Sequence, residues 1–576
     1  MNRPSAFAYE FVLIGLTAAM AGCGGVSGSS SSAGGGTSAG GSSSAGGAAP
    51  FSPQVCARAW GTSSATSSWV YPNSGVLAYK ALDSHGDQVM DFSAAGYMGG
   101  GVAIPSPAAT ITVPPIGGGA DDTANIQNAI DQVSALPIDN GFRGVVLLSA
   151  GNFSVSNTLT ISASGVVLRG SGSGTSGTVI TDTSPLQNAS SPVSAAPGTG
   201  TGQTLLSLAG GGSNAIVPSS TVSITDMYVP AGATTLTLSN VSAFKVGDAI
   251  MVSRPATSLW IAFMQMDNLG AGEIWMSPGT STNWQRTIAD INGNQITLDI
   301  PISDSLDSTY VSPPGGTVSL YTSHQPIVQV GVEHIRFVGV PRTVYTANNM
   351  LVVSDMQDSW VNDVVGDNFT SGVTLRSGTL RMTVKSVALT HENNNASVPC
   401  TGAKFAEFSI AGSQILVDSR SSTGGKASFY YVTESKTPGP NVLLNFKGTP
   451  DSVCSISSIQ PHQRWATGLL VDGATLAPNI GVNDSVAGSV DFSNRGAGQG
   501  WTVGWSVIWN SIGSFNVQAP PGSMNWVIGS TGTVVPQTTE QPGTFDSPNK
   551  PVAPQSLYLA QLCQKLGPTA LSNIGY

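Results

Sequence analysis

The sequence predicts an all-β fold: a parallel β-helix with a small antiparallel β-domain inserted into it. Three observations predict it. The stretch Gly144–Gly170 holds three short apolar runs, Val145–Leu148, Leu159–Ile161 and Val166–Leu168, separated by small and polar residues with Gly at 151, 165 and 170. Each run is too short for a helix and is rich in Val, Leu and Ile, as buried parallel strands are, so the three read as one coil of a solenoid. Ahead of them, Ala120–Asp131 places Ile126 and Ile130 at i, i+4, with Asp122 or Thr123 available to cap the first turn. A short amphipathic helix there would close the open apolar end of a solenoid. Beyond residue 330 short apolar strands recur, from HIRFVGV at 334 to NWVIGS at 525, most of them spaced by about 20–30 residues, the length of one supersecondary repeat.

Composition agrees. Only 9% of residues are charged and 7% aromatic, and 70 of the 576 are Gly, which suits stacked β coils with polar turns better than helical bundles. The net charge of −10 argues against nucleic acid as a partner, because phosphate contact needs a basic footprint.

In chain order, residues 1–23 read as an export signal. Arg3 precedes an apolar run from Phe11 to Met20 that is too short to span a bilayer. It ends in Met20-Ala21-Gly22-Cys23, which resembles a bacterial lipobox. The resemblance implies a mature N-terminus at Cys23 that carries lipid and anchors the chain to the cell envelope, the alternative being plain secretion. Residues 24–50 are Gly, Ser and Ala with little to pack, a flexible tether. Setting Cys23 aside leaves Cys56, Cys400, Cys454 and Cys563, an even number in an exported chain. Of the three possible connectivities, Cys400 with Cys454 and Cys56 with Cys563 is preferred: one pair would staple neighbouring loops, the other would tie together the ends of the folded part.

Residues 51–216 are read as leader, capping helix and first coils, with the leader wrapping the N-terminal end of the solenoid. Residues 217–322 alternate apolar and polar with turn signals such as Asn292-Gly293 and form the inserted domain. There Trp260, Trp275 and Trp284 either stack on sugar faces or fill a small core. Residues 323–535 are the main β-helix, with a loop leaving the stack at 391–410. Residues 536–576 form a tail whose amphipathic end lies along the solenoid or seals its last coil.

The helix at 120–131 and the "G.v.l..G.f.v...l.i..sgv.l.G.G" pattern that follows, over roughly residues 117–182, resemble the N-terminal part of the pectate-lyase superfamily of right-handed parallel β-helices. That superfamily contains polysaccharide lyases, glycoside hydrolases and phage tailspikes, so the resemblance implies a polysaccharide substrate. Its catalytic motifs are not carried over: Asn-Thr-Asp, Gly-His-Gly, Arg-Ile-Lys and Trp-Ile-Asp-His are absent from the sequence. No cofactor is identified. Calcium is the ion the resemblance would allow, and the sequence has no clear site for it.

Chemistry is therefore sought where coils stack. Equivalent positions on adjacent coils lie about 5 Å apart, so residues remote in sequence meet on one face. Asp363, Asp367, His391, Glu392, Asp418, Arg420, Glu434, His462, Arg464, Asp491 and Arg495 are placed there. Residues 371–500 carry ten Lys/Arg against eight Asp/Glu, while the remainder of the chain carries −12. A relatively basic face would attract an anionic glycan. In β-elimination, His391 or His462 would act as base or acid, and Arg420 and Arg464 would hold a uronate carboxylate. In hydrolysis, two carboxylates among Glu392, Asp418 and Glu434 would flank the glycosidic bond. Glu434, Trp465, Arg495 and Trp501 are assigned to substrate binding; Trp505 and Trp509 point one way with Val507, as core aromatics would. The expectation is an extracellular polysaccharide-degrading enzyme, a uronate lyase ahead of a hydrolase, with a non-catalytic carbohydrate-binding β-helix as the rival.

Overall fold

The computed structural model describes residues 56–184, 203–212, 214–270, 274–322, 325–339, 348–390, 406–418, 422–425, 429–450, 458–462, 464–476, 489–492, 500–536 and 540–576. Cys23, Cys400 and Cys454 lie outside the described residues. The main body is a parallel β-helix with three sheets. In the first sheet a single inward position can be followed through the whole stack: Ile111, Val146, Leu168, Val332, Val361, Val384, Val417, Leu443, Val471, Ile508, Val527 and Phe545 pair in register, one per coil. The third sheet repeats the device with Leu159, Leu206, Leu351, Val373, Phe408 and Tyr431. Because strand side chains alternate between faces, each short apolar run buries one such column, and together the columns form the principal core.

In several coils the chain turns from the first sheet to the second through a left-handed residue: His334, Asp363, Ser386, Asn445 and Asn510 all have φ between 43° and 59°. Asn, Asp and His tolerate this region better than most residues.

The helix Thr123–Ser134 closes the N-terminal end with Ile126, Ala129, Ile130 and Val133 buried. Its cap differs from the expected one. The Asp122 carboxylate accepts from the Ile116 and Ser154 N–H groups at 2.8 and 3.1 Å. The Thr123 hydroxyl donates to Asp121 and accepts from Ser156 N–H. Neither side chain caps the backbone N–H groups of the helix's own first turn; both tie the helix to its surroundings.

The leader also departs from expectation. It runs along the outer face of the first sheet instead of wrapping one end. Outward positions of the later coils are apolar, with Leu416, Val442, Leu470, Val507 and Trp526 in register. The leader's Val70, Leu77, Val89 and Phe92 pack over that column in one cluster with the tail's Leu557, Leu559 and Leu562. Farther on, Tyr97 meets Trp360 edge-on at 5.5 Å. The tail helix Leu557–Leu566 lies along the same face. The preferred Cys56–Cys563 disulfide is present, with Cα atoms 6.4 Å apart, and joins leader to tail. No helix among the described residues is long and apolar enough to cross a membrane.

The inserted domain is antiparallel. Its main sheet brings together Thr317–Thr322, Ala249–Pro255, Ser281–Asn292, Gln295–Leu298 and Thr235–Thr237. Trp284 is fully buried in its core.

Candidate functional site

The inserted domain is fastened to the solenoid by buried polar contacts, and these set the geometry of the cleft beside them. Arg286, buried, donates to the carbonyls of Ile300, Pro301 and, across the junction, Gly439 at 2.7–3.0 Å. Ser303 accepts from Gly439 N–H at 3.0 Å and shares a hydrogen bond with Thr467 at 2.8 Å. Asp304 receives the Arg254 guanidinium at 2.9 Å and the indole N–H groups of Trp465 and Trp505 at 2.6 and 3.0 Å. Trp260, Trp275, Trp465 and Trp501 complete an apolar cluster there.

Trp465 and Trp501 are therefore corrected: at 1% and 2% exposure neither offers a ring face to a sugar. The Trp275 indole donates to the Trp501 carbonyl at 2.9 Å and the Trp501 indole to the Met264 carbonyl at 2.9 Å, so these aromatics join domains. Trp260 and Trp275 belong to the same joint, and Trp284 to the insert core.

Alongside this joint runs a cleft of about 570 Å³ between the outer face of the inserted sheet and the solenoid edge where the third sheet turns back to the first. Its ionisable lining side chains are Asp355, Glu434 and Lys436. Glu434 directly follows the strand Phe429–Thr433. Partial burial holds its carboxyl above the usual carboxylate range, against the opposing effects of a 3.4 Å hydrogen bond from Ser409 and of the nearby Arg376 charge. Lys436 N–H donates to the Arg464 carbonyl at 3.0 Å. Asp355 sits at φ 47°, its carboxylate against Gly378: a Cβ built on that glycine would fall 2.3 Å from Asp355 Oδ1. Glycine is required where another group approaches the backbone this closely.

The other predicted residues are placed as follows. His462 and Arg464 lie on the coil next to Glu434: His462 N–H donates to the Thr433 carbonyl at 3.2 Å and Ser435 Oγ to the Arg464 carbonyl at 3.4 Å. His462 is 5% exposed, with its ring 5.5 Å from that of Phe429, which corrects its assignment as a substrate-facing base. Asp418 is fully buried and accepts from the Tyr576 hydroxyl at 2.6 Å, with Lys385 Nζ 3.7 Å away. It holds the chain's end onto the first sheet, so its assignment to a carboxylate pair with Glu434 is corrected too. A second cleft, of about 550 Å³, lies beside it and is lined by Asp363, Lys385 and leader and tail residues. There His334 Nδ1 is 2.7 Å from Asp363 Oδ2. His391, Glu392, Arg420 and Arg495 lie outside the described residues. Among the described residues no group of three or more His, Cys, Asp or Glu could hold a metal ion.

Sequence reasoning missed Asp355 and the inserted domain's wall. A signal for Asp355 existed: Val353, Leu375, Ile410 and Thr433 are in register, so the residues just after these strands share an edge with Glu434. For the wall, nothing in the order of the insert says which face of its sheet turns towards the solenoid.

No family model and no curated protein matches the chain. Among solved structures, the gp49 tailspike of Pseudomonas phage LKA1 is 14% identical, with 73% of this chain and 65% of that chain covered and a TM-score of 0.34. A mutant DFA-IIIase of Arthrobacter chlorophenolicus A6 in complex with DFA-III is 11% identical over 80% of this chain and 89% of that one, TM-score 0.35. The catalytic domain of a GH87 α-1,3-glucanase with nigerose is 11% identical over 78% and 67%, TM-score 0.31. Likenesses this loose decide nothing about substrate. The class of protein is set by the chain's own strand register: an all-β parallel β-helix carrying an antiparallel insert.

Proposed function

We propose that this chain is an exported polysaccharide-cleaving enzyme whose active site is the cleft between insert and solenoid, with Glu434 as general acid. The observation that carries this reading is a carboxyl whose pKa burial raises, Glu434, sharing one open polar cleft with a second carboxyl, Asp355. An acid with a raised pKa keeps its proton for the leaving oxygen at higher pH. The two residues stand three coils apart, roughly 14 Å by strand spacing. Asp355 leans onto Gly378, one coil nearer, which leaves roughly 10 Å before the reach of the Glu434 side chain. That approaches the ~6.5–9.5 Å separation of inverting glycosidases, with Asp355 as the base that activates water.

β-Elimination is the second reading. Arg376 and Lys436 beside Glu434 would neutralise a uronate carboxylate, but among the described residues no histidine lines the cleft, and His462 is enclosed in the solenoid wall. The export signal, Cys23 lipidation and the 24–50 tether would hold the enzyme at the cell surface. Metabolic labelling with a fatty acid, lost in Cys23→Ser, tests the anchor.

Incubation with a panel of neutral and acidic glycans tests the reaction. New reducing ends without the ultraviolet absorbance of unsaturated uronates mean hydrolysis; that absorbance means elimination. Binding without any cleavage would make the chain a carbohydrate-binding β-helix and sink the enzymatic reading.

A further inference from the structure

The inserted domain contributes the strand Ser281–Asn292 to one wall of the cleft. Strand side chains alternate, and here Trp284 and Arg286 face inward while Ser281, Asn283 and Gln285 line the cleft. Asn283 is fixed in orientation: its Oδ1 accepts from Ser253 Oγ at 2.8 Å, which leaves the amide N–H groups for the cleft. Gln357, on the solenoid wall, repeats this logic. Its Oε1 accepts from Arg381 at 3.2 Å while the same guanidinium is held by two 2.7 Å bonds to Asp358. Two carboxamides on opposite walls thus have their oxygens engaged within the protein and their donors left to a ligand.

The walls are preset. Arg286, Ser303 and Asp304 pin the insert to the solenoid through buried hydrogen bonds, so binding need not bear the cost of assembling the cleft. Charge is nearly balanced: Asp355 and Glu434 stand against Lys436 and the nearby Arg376. A polymer carrying a carboxylate on every sugar would meet two opposing carboxyl groups beside those two cations, and little net attraction.

Resting on the active-site reading above, we propose that the inserted domain is the substrate-reading wall. Asn283 and Gln357 are specificity residues that donate to the hydroxyl, ring or N-acyl oxygens of an uncharged polysaccharide. This class differs from the anionic polymer expected from the charge of residues 371–500.

The test uses the full chain carrying Glu434→Gln, so that bound polymer is not consumed. Affinity electrophoresis against uncharged glucans, N-acetylated glycans and uronate polymers reads the class. Retarded migration in at least one uncharged polymer and in no uronate polymer is expected. Adding Asn283→Ala or Gln357→Ala should weaken that retardation by roughly ten-fold each, the worth of one or two hydrogen bonds. Asn283→Asp, which keeps the size and replaces donor with acceptor, should weaken it as much, while unchanged circular dichroism verifies the fold. Retardation by uronate polymers alone overturns the substrate class. Equal binding by the Asn283 and Gln357 variants overturns the wall. No binding to any polymer by Glu434→Gln overturns the active-site reading itself, and the inference with it.

Discussion

The Trp465 indole donates to Asp304 Oδ2 across 2.6 Å, linking residues 161 positions apart and closing the joint between solenoid and insert. Asp304 also pairs with Arg254, whose guanidinium lies 3.9 Å over the Trp260 ring. Both charges are buried. Removing one member of a buried pair strands the other at a cost of about 3–5 kcal/mol. Asp304→Ala should therefore cut the stability measured by denaturant unfolding by that amount and open the insert to limited proteolysis. Retained protease resistance would show that the joint does not depend on this carboxylate.

As the proposed general acid, Glu434 would set the pH limb of the reaction. Burial raises its pKa, and a general acid works only while protonated, so kcat should fall as pH rises through that raised value. Glu434→Gln should remove this limb and lower kcat by about 10²–10⁴-fold. A variant with unaltered kcat would displace Glu434 from the mechanism.

Asp472 links the tail to pH. Its carboxylate accepts from Tyr558 N–H and Ser556 Oγ at 2.8 and 2.7 Å at the start of the helix Leu557–Leu566. Burial nonetheless pushes its pKa up to about 7 from 3.8, outweighing those hydrogen bonds. The folded state then binds a proton that the unfolded chain releases, so this stabilisation is full below about pH 4 and is lost as pH rises towards about 7. Asp472→Asn keeps an acceptor and removes the charge. Its Tm, relative to wild type, should rise across that window; a constant difference would refute the linkage.

The Cys56–Cys563 bridge closes a sequence separation of 507 residues. Its loss should cost about 2–4 kcal/mol. Cys56→Ser or Cys563→Ser should lower Tm by a corresponding amount while glycan binding in the distant cleft persists. Loss of binding would mean that the leader and tail also shape the cleft.

Much of the fold was legible because its signal is local. Val166–Leu168 is already an unbroken apolar run of the length and kind a buried parallel strand needs, and Ile126 with Ile130 marks the capping face. The site was legible only in part. Glu434 could be proposed only as one of several ionisable residues on stacked coils, and the structure does place His462 and Arg464 on the coil next to it. Their exposure could not be read: His462 turns into the wall, and Asp418 lies under Tyr576. Trp465 and Trp501 carry the same sequence signature whether they meet a sugar or another domain.

By itself the sequence determined the repeating strands, the capping helix, the antiparallel insert and an even set of cysteines past residue 23, because short-range periodicity and side-chain type govern those. Only the tertiary structure decided which surface stayed open. The leader and tail cover the apolar outer face of the first sheet, and the insert turns Asn283 towards Glu434 and Asp355. Those outcomes depend on long-range burial: each apolar face takes the complementary surface it can desolvate, and polar groups left uncovered beside the joint become the cleft.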